Sequence, residues 1–94
     1  MKVRYTPRAF ADRERIFAYL HERSPSGARN VLARINAAVR QLCGQPLSGH
    51  RTDDPEVRAK FVGRYPYKIF YRVRDDTVEI VHIRHTARSP WLGA

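Results

Sequence analysis

The chain has a single cysteine, no apolar run longer than the five residues from Ile16 to Leu20, and half as many acidic as basic side chains. One thiol closes no internal disulfide, so Cys43, in the last turn of an expected helix, is read as a small buried hydrophobe and not as a reactive group. A five-residue apolar run falls far short of the about 20 residues that a membrane-spanning helix needs. Lys2, Arg4 and Arg8 stand among few apolar residues, unlike the apolar core of a secretory signal, and a cytoplasmic location is expected. The histidines His21, His50, His82 and His85 show no zinc spacing, and Asp53, Asp54 and Glu56 lack the glycine-punctuated pattern of a calcium loop. No metal or cofactor is expected.

What is present is a core-forming composition: 94 residues, 43% of them hydrophobic, which suits one domain spanning 1–94 and not a basic disordered tail. The net charge is +9, and 15 of the 18 cations are arginine, whose planar fork of donors suits phosphate and carboxylate. Residues 57–94 carry +5 of that surplus in the shorter part of the chain. An acidic partner, either nucleic acid or protein, is favoured by a field of this sign.

Val3 and Tyr5 share one side of a short opening strand, Lys2 to Tyr5. Thr6 before Pro7 reads as an N-cap with proline in the first turn, and a helix is predicted from about Pro7 to Glu22. Its apolar stripe is Phe10, Ile16, Phe17 and Leu20, with Asp12 and Arg15 off that stripe. Ser24-Pro25 repeats the cap, and Ala28, Val31, Leu32, Ile35, Ala38, Val39 and Leu42 then follow at helical spacing until Gly44 and Pro46 stop the helix. Arg29, Arg34 and Arg40 fall on the opposite, solvated side.

After a loop from Gly44 to Pro55 the period becomes two. Val57, Ala59 and Phe61 alternate with Arg58 and Lys60, which places both cations on one strand face. Strands Tyr67–Arg74 and Thr77–His85 follow, joined at Asp75-Asp76. A two-residue turn there pairs Val73 with Val78, Tyr71 with Ile80 and Ile69 with His82 on the face toward the helices. Arg72 then meets Glu79, Phe70 meets Val81 and Lys68 meets Ile83 on a second face, which mixes apolar groups with cations as a binding surface would. His82 is read as structural. The fold expected is α+β: an N-terminal strand, a helix hairpin and a three-stranded antiparallel meander, with the helices on one face.

This order of elements, with the segments VRAKF, YPYKIFYRV and VEIVHIRH and a trailing TARSPW, resembles the RelE/ParE family of toxins from type II toxin–antitoxin pairs over nearly the whole chain. The resemblance implies a small toxin neutralised by a cognate antitoxin in a hetero-oligomer, through an acidic segment laid beside the helix hairpin and sheet. Poor solubility or toxicity is expected when the chain is made alone. RelE-like members cut mRNA on the ribosome, whereas ParE-like members inhibit DNA gyrase without a conventional catalytic site; a non-toxic basic binding module of the same fold is the third alternative.

Cleavage by an adjacent 2′-hydroxyl needs a proton-transfer group and cations on the phosphate. Arg58, Lys60 and Arg72 would serve as the cations and His85 as the proton-transfer group; His85 reads equally as a strand-end histidine bonded to backbone. Many ribonuclease members carry a tyrosine in the C-terminal tail. Here none follows Tyr71, and the tail holds Arg88 and Trp91, which moves the resemblance toward the ParE branch. Residues Arg58, Lys60, Phe70, Arg72, Arg84, Arg88 and Trp91 are the expected contacts for target or antitoxin.

Overall fold

Two cap-and-proline pairs set the helices. In the computed structural model, which describes residues 1–86, the Thr6 hydroxyl accepts from the Ala9 amide and Ser24 accepts from Gly27. Strand β1 (Lys2–Tyr5) leads into α1 (Pro7–Arg23) and α2 (Pro25–Gly44), followed by β2 (His50–Arg51), β3 (Arg58–Phe61), β4 (Tyr67–Arg74) and β5 (Thr77–His85). The five strands lie in the order β1-β5-β4-β3-β2, with β1 parallel to β5 and the other neighbours antiparallel. The expected α+β arrangement is present, and β2 adds a two-residue edge inside the segment read as a loop.

The stripe on α2 is buried as its spacing requires: Ala28, Val31, Ile35, Ala38, Val39 and Leu42 face inward. With Ala9, all of these but Ala28 pack on Val62 and on Tyr67, Ile69, Tyr71, Val78, Ile80 and Ile83 of the helix-side face of the sheet. On α1 the stripe differs from expectation. Phe10 is 49% exposed, while the residues it buries are Ala9 and Asp12; Ile16 and Leu20 are half-buried against the core. Cys43 is half-buried and not fully enclosed.

The meander departs from the simple hairpin register by one residue. Pairing runs as predicted from Arg74↔Thr77 to Tyr71↔Ile80, and then Phe70 meets His82, Ile69 meets Ile83 and Lys68 meets Arg84. The expected pairs Ile69–His82, Phe70–Val81 and Lys68–Ile83 are therefore wrong. Val81 is the extra residue of a β-bulge. The reason lies in burial: an unbulged strand would turn the His82 imidazole into the aliphatic core and Ile83 away from it. The bulge exchanges them, so Ile83 joins the core and His82 shares the outer face with Phe70.

Tyr71 pins the loop before β2. Its buried hydroxyl donates to the Pro46 carbonyl at 2.7 Å and accepts from the Gly49 amide at 2.9 Å. A Cβ at position 49 would lie 2.5 Å from that hydroxyl and 2.9 Å from the Ala59 carbonyl, so glycine is required by close approach. Burial raises the Tyr71 phenol above its ordinary range, opposed by the Gly49 bond and by Arg58.

Candidate functional site

Strand alternation divides the candidate residues between the two sheet faces. Arg58 is paired with Tyr71 and Lys60 with Ile69, so both stand on the helix-side face, at its β3 margin. Arg58 Nη1 donates to the carbonyl oxygens of Gly49 at 3.0 Å and Leu47 at 3.4 Å and so holds the loop that Tyr71 also holds. His85, paired with Tyr67 and meeting its ring edge-on at 5.6 Å, belongs to the same face at the far end of β5.

Phe70, Arg72 and Arg84 stand on the outer face with Lys68 and, from β1, Arg4. The expectation that Arg58, Lys60, Arg72 and Arg84 gather as one group is corrected by this division, since a β-strand sends neighbouring side chains to opposite sides. Arg88 and Trp91 lie outside the described residues.

The outer face is organised around a buried carboxylate. Glu79 is 2% exposed and accepts from Arg4 Nη2 on one oxygen and from Arg72 Nε on the other. Those two arginine hydrogen bonds, Arg4 first, hold its pKa below the ordinary glutamate range despite burial. The Arg4 side chain remains 71% exposed, so one guanidinium of this triad still presents donors to solvent. The pairing of Arg72 with Glu79 was legible in the register; the second arginine was not, because nothing in the sequence placed β1 beside β5.

Phe70, expected as a contact for target or antitoxin on the second face, is 2% exposed. The His82 ring stacks on it at 5.8 Å and the Arg84 guanidinium lies over it at 5.0 Å, while Val57, Ala59 and Val81 pack around it. Its role is to seat the cations above it. Lys68 sits likewise 5.5 Å from the Phe61 ring, which is half exposed.

Asp12, read as an off-stripe helix residue, is buried and decides how α1 meets the sheet. Strand β1 pairs with β5 only as far as Ile80, which leaves the later part of β5 with unpaired amides. There α1 crosses the edge: Asp12 Oδ2 accepts from the Ile83 amide at 3.1 Å and from His82 Nδ1 at 2.5 Å, and the Thr6 hydroxyl donates to the Val81 carbonyl. Burial lowers the His82 pKa below its ordinary value, with Asp12 pulling the other way. The available signal was the mismatch between a four-residue first strand and a nine-residue last one, which leaves an edge to be capped.

Among the described residues no three histidine, cysteine or acidic side chains gather as metal ligands, and no helix is long and apolar enough to cross a membrane.

Three comparisons accord with this architecture. Residues 3–90 match the model of the family described as ParE toxin of type II toxin–antitoxin system, parDE. The chain is 36% identical over 90 residues to the "Putative toxin Y4kP" of Sinorhizobium fredii, covering 96% of this chain and 92% of that one. It is 38% identical over 87 residues to toxin RelE2 of Caulobacter vibrioides, covering 93% and 97% of the two chains. A solved chain of the chromosomal ParDE toxin–antitoxin system from P. aeruginosa superposes with a TM-score of 0.79 at 24% identity, over 90% of this chain and 95% of that one, a likeness of fold. A first strand, a helix hairpin, a basic meander and a family match across nearly its full length together show that the chain belongs to the RelE/ParE family of toxins from type II toxin–antitoxin systems.

Proposed function

We propose that this toxin acts as a ParE-like inhibitor of DNA gyrase, binding its target through the basic outer face of the sheet and not by bond-making side chains. Type II membership implies an antitoxin partner, which neutralises the chain. The observation that carries the target assignment is the separation of the candidate catalytic groups. Arg72 is tied to Glu79 on the outer face, whereas Arg58 is tied to loop carbonyls on the other. A phosphate gripped by their remaining donors at the open end of β4 would lie about 13 Å along that strand from His85, which pairs with Tyr67, so the cations and the proton-transfer group do not converge on it. Recognition of a protein surface has no such requirement, because rim cations steer and orient a partner without converging on a single atom.

Arg4 and Arg72 flank the Glu79 carboxylate, and Lys68 and Arg84 pair further along β4 and β5 on the same face, which leaves it strongly basic and suited to an acidic partner. Arg88 and Trp91, outside the described residues, complete the proposed contact set by sequence position. The test is a supercoiling assay with purified gyrase: inhibition by the wild-type chain, relieved by antitoxin, is expected. No inhibition at any stoichiometry would remove this assignment.

A second reading is favoured by a different observation. Arg58, Lys60 and His85 share the helix-side face, so a RelE-like, ribosome-dependent mRNA endonuclease would have two cations and a proton-transfer group on one side of the sheet. Cleavage of translated mRNA that His85→Ala abolishes would establish this reading in place of the first.

A further inference from the structure

The ladder between β3 and β4 ends at Arg58↔Tyr71, and beyond it β4 continues through Arg72, Val73 and Arg74 with only β5 at its side among the described residues. A cavity of about 250 Å³ lies beside this open strand edge. Because the edge is open to both faces, residues from opposite sides of the sheet reach it: Arg58 from the helix side, Arg72 from the outer side, and Arg74 near the turn. Leu47 and Pro55 supply apolar wall and Glu56 a single carboxylate.

We infer that this cavity binds a compact phosphorylated small molecule that carries hydroxyl groups, of the sugar-phosphate class. Three arginines supply more donors than their present partners use. Nη1 of Arg58 serves the loop carbonyls and Nε of Arg72 serves Glu79. Among the described residues no hydrogen bond uses the other guanidinium nitrogens of these two, and Arg74 has neither a hydrogen bond nor an ion pair. Planar forks of this kind match the oxygens of a terminal phosphate.

The remaining walls narrow the class. Glu56 repels a bare dianion but accepts hydrogen bonds from hydroxyls, and Leu47 and Pro55 suit the carbon faces of a sugar ring. The volume holds a group of that size and is smaller than the usual ligand clefts of about 300–1,000 Å³. Arg58 and Arg72 are shared with the two proposed mechanisms, whereas Arg74 and Glu56 belong to neither and therefore test this inference separately.

The test is a titration of the full chain, followed by amide NMR, with ribose 5-phosphate, ribose and inorganic phosphate as separate probes. Saturable shifts at Glu56, Val73 and Arg74 are expected with ribose 5-phosphate, with inorganic phosphate binding about tenfold more weakly and ribose not at all. Arg74→Gln, at an exposed position, is expected to leave the unfolding midpoint unchanged and to weaken ribose 5-phosphate about tenfold. Glu56→Gln is expected to weaken ribose 5-phosphate while leaving inorganic phosphate as tight or tighter. Absence of saturation, or equal affinity in Arg74→Gln, would overturn the inference. A dinucleoside monophosphate, whose only phosphate is internal, binding as tightly as ribose 5-phosphate would assign the cavity to a nucleic-acid backbone and overturn it as well.

Discussion

On the helix side of the sheet, Ile35, Val39 and Leu42 meet Ile69, Ile80 and Ile83, and the Tyr71 hydroxyl among them is satisfied by the loop before β2, whereas on the outer face Phe70 and Val81 are flanked by Arg84, His82 and the Arg4–Glu79–Arg72 triad. The first surface is closed by aliphatic stripes that helices bring to it. Among the described residues no helix covers the second, and its apolar centre is shielded by long charged side chains from the sheet itself. The comparison teaches that the outer cations have two duties. They form the basic surface proposed for recognition, and they also keep Phe70 and Val81 out of water.

Substitutions on the two faces should therefore differ in kind. Ile80→Ala, at a fully buried helix-side position, is expected to lower unfolding free energy by about 2–5 kcal/mol in urea melts. A loss under about 1 kcal/mol would mean that the helix-side core is loosely packed. Glu79→Gln on the outer face is expected to cost less, about 1–2 kcal/mol, since Arg4 is largely solvated and its share is screened. Its signature is pH dependence. The folded carboxyl titrates below its unfolded value near 4.5, so its stabilisation is fully present above that value and is lost as pH falls through the folded pKa. Melts of the wild type from pH 7 to pH 3 should show this loss, and Glu79→Gln should flatten it.

Asp12→Asn probes the junction of the two regions and has the smallest expected effect on stability, about 1 kcal/mol, because the amide oxygen can still accept from one of its two partners. His82 already titrates below its ordinary value of 6.5, so its contribution is present above that pH and lost as pH falls through the folded value. Removing the Asp12 charge takes away the influence that raises it. An NMR titration should find the His82 midpoint lower in Asp12→Asn than in the wild type; a higher midpoint would contradict the assigned pairing.

The local parts of the fold were legible because their signals are local. Thr6-Pro7 and Ser24-Pro25 announce both helices, the α2 stripe announces its buried face, and Asp75-Asp76 fixes the register as far as Tyr71↔Ile80. The bulge at Val81 carries no glycine or turn residue to mark it; it follows from the competition between Ile83 and His82 for the core. Asp12 was illegible for a similar reason. Its burial depends on how far β1 runs along β5, a pairing between residues more than 70 positions apart. The candidate site was legible as a set of residue types and partly misplaced as a set of neighbours, since Arg58 and Lys60 turn to one face and Arg72 and Arg84 to the other.

The central claim is that the toxin works by recognition through its charged sheet and not by proton transfer at His85. It is tested most directly by measuring gyrase supercoiling with the wild-type chain and with His85→Ala at matched concentrations. Equal inhibition by both is the result predicted. Inhibition lost with the imidazole, or a wild-type chain that leaves gyrase untouched, would contradict it.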